Sequence, residues 1–131
     1  MTTRNIHDYN GATLAYIGDA VLIREALTDS GISDTGRLSA AAQKLVCAKT
    51  QSAIADMLLP ELSEKEEAAY RLGRNHHASG KPKNATAAEY SRSTGLEAVF
   101  GYLHITGDDG RIRELFDKAY KNLLKDSENL L

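Results

Sequence analysis

The sequence predicts an all-α domain. Apolar residues recur at helical spacing along nearly the whole chain, no stretch alternates at period two long enough to demand a strand, and capping signals recur ahead of the apolar runs. Asn10 is placed to cap a first helix in which Leu14, Ile17, Val21 and Leu22 share a face, and Gly31 closes it. Asp34 or Thr35 opens a second, with Leu38, Ala41 and Leu45 inward. A third runs from about Lys49 to Leu59, where Pro60 stops it. Ser63 and Glu66 have capping-box spacing ahead of EEAAYRLGR, and Thr86 with Glu89 repeats it. Thr94 and Glu97 give the same spacing once more, ahead of Leu96, Val99, Phe100 and Leu103. The last helix starts near Asp109 and turns Ile112, Leu115, Phe116, Ala119 and Leu123 inward.

With 131 residues, the chain predicts one domain, residues 1–131, long enough to bury a core. The lone Cys47 cannot form an internal bridge, so the fold does not rest on disulfides and a reducing, cytoplasmic setting is expected. Cys47 itself is expected to be a small buried apolar residue. The opening MTTRNIHDYN is polar, and no apolar run reaches the roughly 18 residues of a membrane span, so no membrane partner is expected.

Net charge is −2, which argues against a generally basic nucleic-acid binder, but the charge is uneven. Between Arg71 and Arg92 there are five Lys/Arg against the single acid Glu89, a balance of +4 that leaves −6 on the rest. A basic segment on an acidic body fits a directed polyanion contact, although a solvated loop would carry the same charges. The same stretch holds the one long irregular segment, NHHASGKPKNA, in which Gly80 and Pro82 prevent a helix. His76 and His77 in that segment lack further Cys or His at zinc-ligand spacing, so they are read as auxiliary phosphate contacts or bystanders.

Two helices carry a carboxylate among small and apolar residues: Asp19 in AYIGDAVL and Glu97 in STGLEAVFGYL. Burying a carboxylate costs several kcal/mol unless something compensates it, and one divalent cation would compensate both. Gly18 and Gly101 would let the helices approach closely enough for both acids to reach one ion. Each acid also has a plainer explanation. Glu97 could complete the capping box with Thr94, and Asp19 could face solvent on an amphipathic helix.

YIGDAV resembles the signature helix of the ribonuclease III family, and STGLEAVFGYL is similar to that family's second acidic helix. LGRN, PKN and STGLEA in that order, with VCAKTQ, resemble the Mini-III branch, the short form lacking a double-stranded-RNA-binding domain. The likeness runs from about Ala12 to Tyr102. It implies a ribonuclease III-type helical endonuclease domain working as a two-fold homodimer. It further implies that Asp19 and Glu97 are both catalytic and metal-binding, holding Mg2+ (with Mn2+ as a substitute) at the scissile phosphate of double-stranded RNA. Cleavage would leave a 5′-phosphate and a 3′-hydroxyl. The substrate implied is the precursor of large-subunit (23S) ribosomal RNA, with a large-subunit ribosomal protein as helper. Larger relatives place a Glu one turn before the Asp and an Asp three residues before the Glu; this chain has Ala15 and Thr94 there. One ion completed by waters, with Thr94 on a coordinating water, is therefore the simpler expectation.

Duplex RNA is read through phosphates and 2′-hydroxyls, for which Lys, Arg and Asn are suitable types. On the same resemblance the RNA-binding residues are Arg71, Arg74, Asn75, Lys81, Lys83, Asn84 and Arg92, with Lys49 and Gln51 from VCAKTQ. Leu14, Ile17, Leu22 and Leu96 are candidates for the dimer face or for the core, which the sequence does not separate. Two other classes compete: a non-catalytic RNA- or ribosome-binding relative, which would be free to lose either acid, and a helical nucleotide phosphohydrolase, which would want a longer acidic series than EKEE.

Overall fold

A computed structural model describes residues 8–76 and 85–130, and among them lie six helices and the 3-10 turn Leu59–Glu61. The helices are α1 (Gly11–Asp29), α2 (Thr35–Val46), α3 (Ala48–Leu58), α4 (Glu64–Arg74), α5 (Ala87–Ile105) and α6 (Asp109–Leu130). Among the described residues there is no strand, as the missing period-two pattern predicts, and no helix long and apolar enough to cross a membrane.

The caps form where the sequence places them. Asn10 accepts from the Thr13 amide at 2.8 Å and Asp34 from the Arg37 amide at 2.9 Å. Ser63 with Glu66, and Thr86 with Glu89, close full capping boxes. Gly31, just past α1, sits at φ +71°, where a side chain would be strained. Pro60 falls in the 3-10 turn Leu59–Glu61 that ends α3.

α5 is the central helix, packed chiefly against α1 and α4 and then α3. Its Leu96, Val99, Phe100 and Leu103 meet Val21, Leu22, Ile54 and Leu58 in one core, which Ile112, Leu115, Phe116 and Tyr120 of α6 complete. The Phe116 and Tyr120 rings stack with centroids 5.0 Å apart. Each such side chain contributes about 1.5–3 kcal/mol by leaving water.

Three expectations are corrected. Thr94 does not begin a helix: it lies inside α5, buried, and its hydroxyl donates to the Tyr90 carbonyl at 2.9 Å. Leu14, Leu22 and Leu96 belong to the core and cannot form a dimer face, while Ile17 packs partly against that core. Tyr16, Leu27, Met57 and Leu72 are the large apolar side chains left exposed instead. Cys47 is exposed, because it is the extended residue at the break between α2 and α3, where its Sγ lies 3.1 Å from the Thr50 hydroxyl. The expected position of Leu123 falls outside the residues whose side chains are described.

Candidate active site

A close crossing of α1 and α5 carries both acids. A Cβ on Gly18 would stand 1.6 Å from the Glu97 carbonyl oxygen, and one on Gly101 would stand 2.0 Å from the Leu14 carbonyl oxygen. Only glycine on both helices permits this approach, and it puts Asp19, next to Gly18, opposite Glu97. A second glycine pair, Gly73 and Gly95, does the same for α4 against α5: a Cβ on Gly73 would meet the Thr94 carbonyl at 2.5 Å.

Asp19 and Glu97 line one cleft of about 290 Å3 together with Ala12, Ala15, Tyr16, His76, Tyr90 and Thr94. Tyr16 and Ala15 precede Asp19 by about one turn, while Tyr90 and Thr94 precede Glu97 on the same face of α5. Ala12 and Ala15 are small, and this keeps the cleft open. Tyr16, Tyr90 and His76 were not expected at the site; helical spacing from the two acids would have found the tyrosines, but nothing in the sequence puts His76 at the end of α4 into the cleft.

Glu97 is pushed up to about 9, first by loss of water and then by the facing Asp19 carboxylate, which shares a hydrogen bond with it and repels its charge. Gln51 acts in the opposite direction. Two carboxylates held face to face in a poorly hydrated cleft leave one of them protonated unless a cation sits between them. A hard divalent ion with oxygen ligands therefore fits this donor pair, and Asp19 and Glu97 are the residues that would hold it. Among the described residues no group of three or more His, Cys, Asp or Glu gathers at any point to hold a metal.

The expected RNA-facing residues divide. Arg71, Arg74 and Arg92 come together with Tyr70, Asp56, Glu67, Leu59 and Pro60 around a second cleft of about 520 Å3, formed by α3, α4 and α5. Arg92 donates to the Ser52 hydroxyl at 3.2 Å and pairs with Asp56 at 3.6 Å; Arg71 pairs with Glu67 at 3.2 Å; Arg74 lies over the Tyr70 ring, 5.9 Å from its centre. Asn75 is exposed at the end of α4, its side chain accepting from Arg74 at 3.3 Å. Lys49 is exposed on α3 and lines neither cleft. Lys81, Lys83 and Asn84, with His77, Gly80 and Pro82, lie outside the described residues. Gln51 is a correction: it is 0% exposed, on the face of α3 that packs against α5, and cannot reach RNA from there.

Residues 12–108 match the family model described as the ribonuclease III domain. The chain is 42% identical over 110 residues to a Mini-ribonuclease 3 of Symbiobacterium thermophilum, covering 82% of this chain and 85% of that one. It is 43% identical over 111 residues to the Mini-ribonuclease 3 of Streptococcus pneumoniae (81% and 87%), and 35% identical over 130 residues to that of Enterococcus faecalis (95% and 98%). An X-ray structure of a Fusobacterium nucleatum protein superposes with a TM-score of 0.80 at 26% identity, covering 91% of this chain and 98% of that one.

Proposed function

We propose that this chain, which belongs to the ribonuclease III family and matches its Mini-ribonuclease 3 members along most of its length, cuts double-stranded RNA at a divalent-metal site held by Asp19 and Glu97. The observation that carries this is the glycine-permitted crossing of α1 and α5, which sets two acids from distant parts of the chain face to face in an open cleft.

The chain's own residues have three tasks. Asp19 and Glu97 present oxygens to Mg2+, or to Mn2+ in its place, and hold it against a phosphate entering the cleft. Thr94, with its hydroxyl engaged by the Tyr90 carbonyl, contributes a small polar wall beside them. Arg71, Arg74 and Arg92, with Lys49, Asn75, Lys81, Lys83 and Asn84, supply contacts to the phosphates and 2′-hydroxyls of the duplex. When bound, the cation lowers the pKa of a bound water toward neutrality and polarises the phosphoryl oxygen. Hydrolysis on that plan leaves a 5′-phosphate and a 3′-hydroxyl.

Cutting both strands calls for two such clefts, and a closed two-fold dimer matches the approximate dyad of the duplex. The exposed Tyr16 and Leu72 offer apolar surface for it in place of the core leucines. We further propose the large-subunit (23S) ribosomal RNA precursor as substrate, with a large-subunit ribosomal protein as partner, in the cytoplasm. The test is cleavage of long double-stranded RNA by the purified protein, with Mg2+ and with chelator, alongside Asp19→Asn and Glu97→Gln.

A further inference from the structure

Gln51 is a primary amide with no exposure to solvent, set among residues that are otherwise core. Such a group stays buried only where both of its ends find partners. Its Oε1 accepts from the hydroxyl of Ser93, itself buried on α5. Its Nε2 is buried and has no partner within hydrogen-bond geometry among the described residues, and Glu97 is the acid with which the Gln51 side chain interacts. Ser93 and Glu97 are four residues apart, one above the other on one face of α5. The amide on α3 is therefore fixed at one end on the turn of α5 before Glu97, with its unpartnered nitrogen at the other.

The chemistry decides which way round the amide sits. A serine hydroxyl can donate or accept, so the Ser93 end tolerates either orientation. The Glu97 end does not once that carboxylate is ionised: with Oε1 turned to it, two acceptors would face each other, whereas Nε2 can donate. Binding of a cation to Glu97 requires that ionised form. Of the neighbouring hydroxyls, that of Thr94 is committed to the Tyr90 carbonyl.

We infer that Gln51, held by the Ser93 hydroxyl, is a positioning residue that donates to Glu97 and keeps its carboxylate turned toward Asp19 for the cation. This rests on the metal site proposed above. Groups that orient metal ligands in this way are typically responsible for about 10–100-fold in metal affinity. An amide that merely filled space would be replaceable by an apolar side chain of similar size.

The experiment is Mn2+ binding by calorimetry to the full chain without RNA, for wild type, Gln51→Met and Ser93→Ala, with thermal melts in chelator as a control on folding. Gln51→Met should keep the cooperative melt but bind Mn2+ about tenfold more weakly or worse. Single-turnover cleavage should then need correspondingly more Mg2+ and recover at saturation. Ser93→Ala should weaken Mn2+ in the same direction by less, and adding it to Gln51→Met should change little, because the two act through one contact. If Gln51→Met does not fold, Ser93→Ala carries the test alone. Mn2+ affinity within about twofold of wild type in whichever variant folds overturns the inference. A wild-type protein that binds no Mn2+ overturns the metal site itself, a different failure.

Discussion

A methyl group added at Gly18 would lie 1.6 Å from the Glu97 carbonyl oxygen, well inside the 3.0 Å that a Cβ can approach. The atom in the way is backbone on a buried helix, so no rotamer change relieves the contact and α1 must move off α5. Overpacking of this kind typically costs about 1–3 kcal/mol, and a backbone-against-backbone clash belongs at or above the upper end. Against a total stability of roughly 5–15 kcal/mol that is a large fraction. At roughly 4 °C per kcal/mol for a domain of this size, Gly18→Ala should lower the melting temperature by about 12 °C or more. The same movement parts Asp19 from Glu97, so cleavage should fall below what the melt alone explains. Gly110→Ala, on α6 with nothing near its Cβ, is the matched control and should be neutral or stabilising by up to about 1 kcal/mol. Melts followed by helical circular dichroism decide it. A Gly18→Ala protein melting within about 2 °C of wild type would refute the close crossing on which the site depends.

Two further outcomes are expected. In metal-free protein Glu97 titrates near 9, against 4.5 ordinarily, so the folded chain keeps a proton that the unfolded chain has released. Its contribution to stability is thus full below the unfolded value and is lost as pH rises toward 9. Melts in chelator should show wild type losing stability over that window and Glu97→Gln losing less; parallel curves would contradict the assignment. Replacing Arg71 and Arg74 by Ala should weaken RNA binding and reduce the slope of log affinity against log salt by up to about 0.9 per lost phosphate contact, taking the B-form value as a guide. Filter binding across salt concentrations reads this directly, and an unchanged slope would remove these arginines from the phosphate contact.

The helices were legible because their signals are local: a capping side chain and an apolar residue every three or four positions act within one element. Thr94 and Glu97 show the limit of that logic. Any two residues three apart on a helix face the same side, so capping-box spacing arises inside a long helix as readily as at its start. Core and dimer face are not separable in the sequence because α1 is apolar around much of its girth, and periodicity cannot say which neighbour covers Leu14 or Leu22. Gly18 and Gly101 did mark a close approach, yet the meeting of Asp19 and Glu97, 78 positions apart, followed from family resemblance and not from spacing. Gln51 was misplaced for a related reason: a polar residue beside Lys49 looks solvent-facing until α3 is docked on α5.

The central claim is that Asp19 and Glu97 together hold the ion that cuts duplex RNA. Single-turnover cleavage of long double-stranded RNA at saturating protein tests it most directly, comparing wild type in Mg2+ and in chelator with Asp19→Asn and Glu97→Gln in Mg2+. The account predicts 5′-phosphorylated fragments from wild type only with Mg2+, and none from either variant although both remain helical and bind the RNA. Near-normal cleavage by either variant would contradict it.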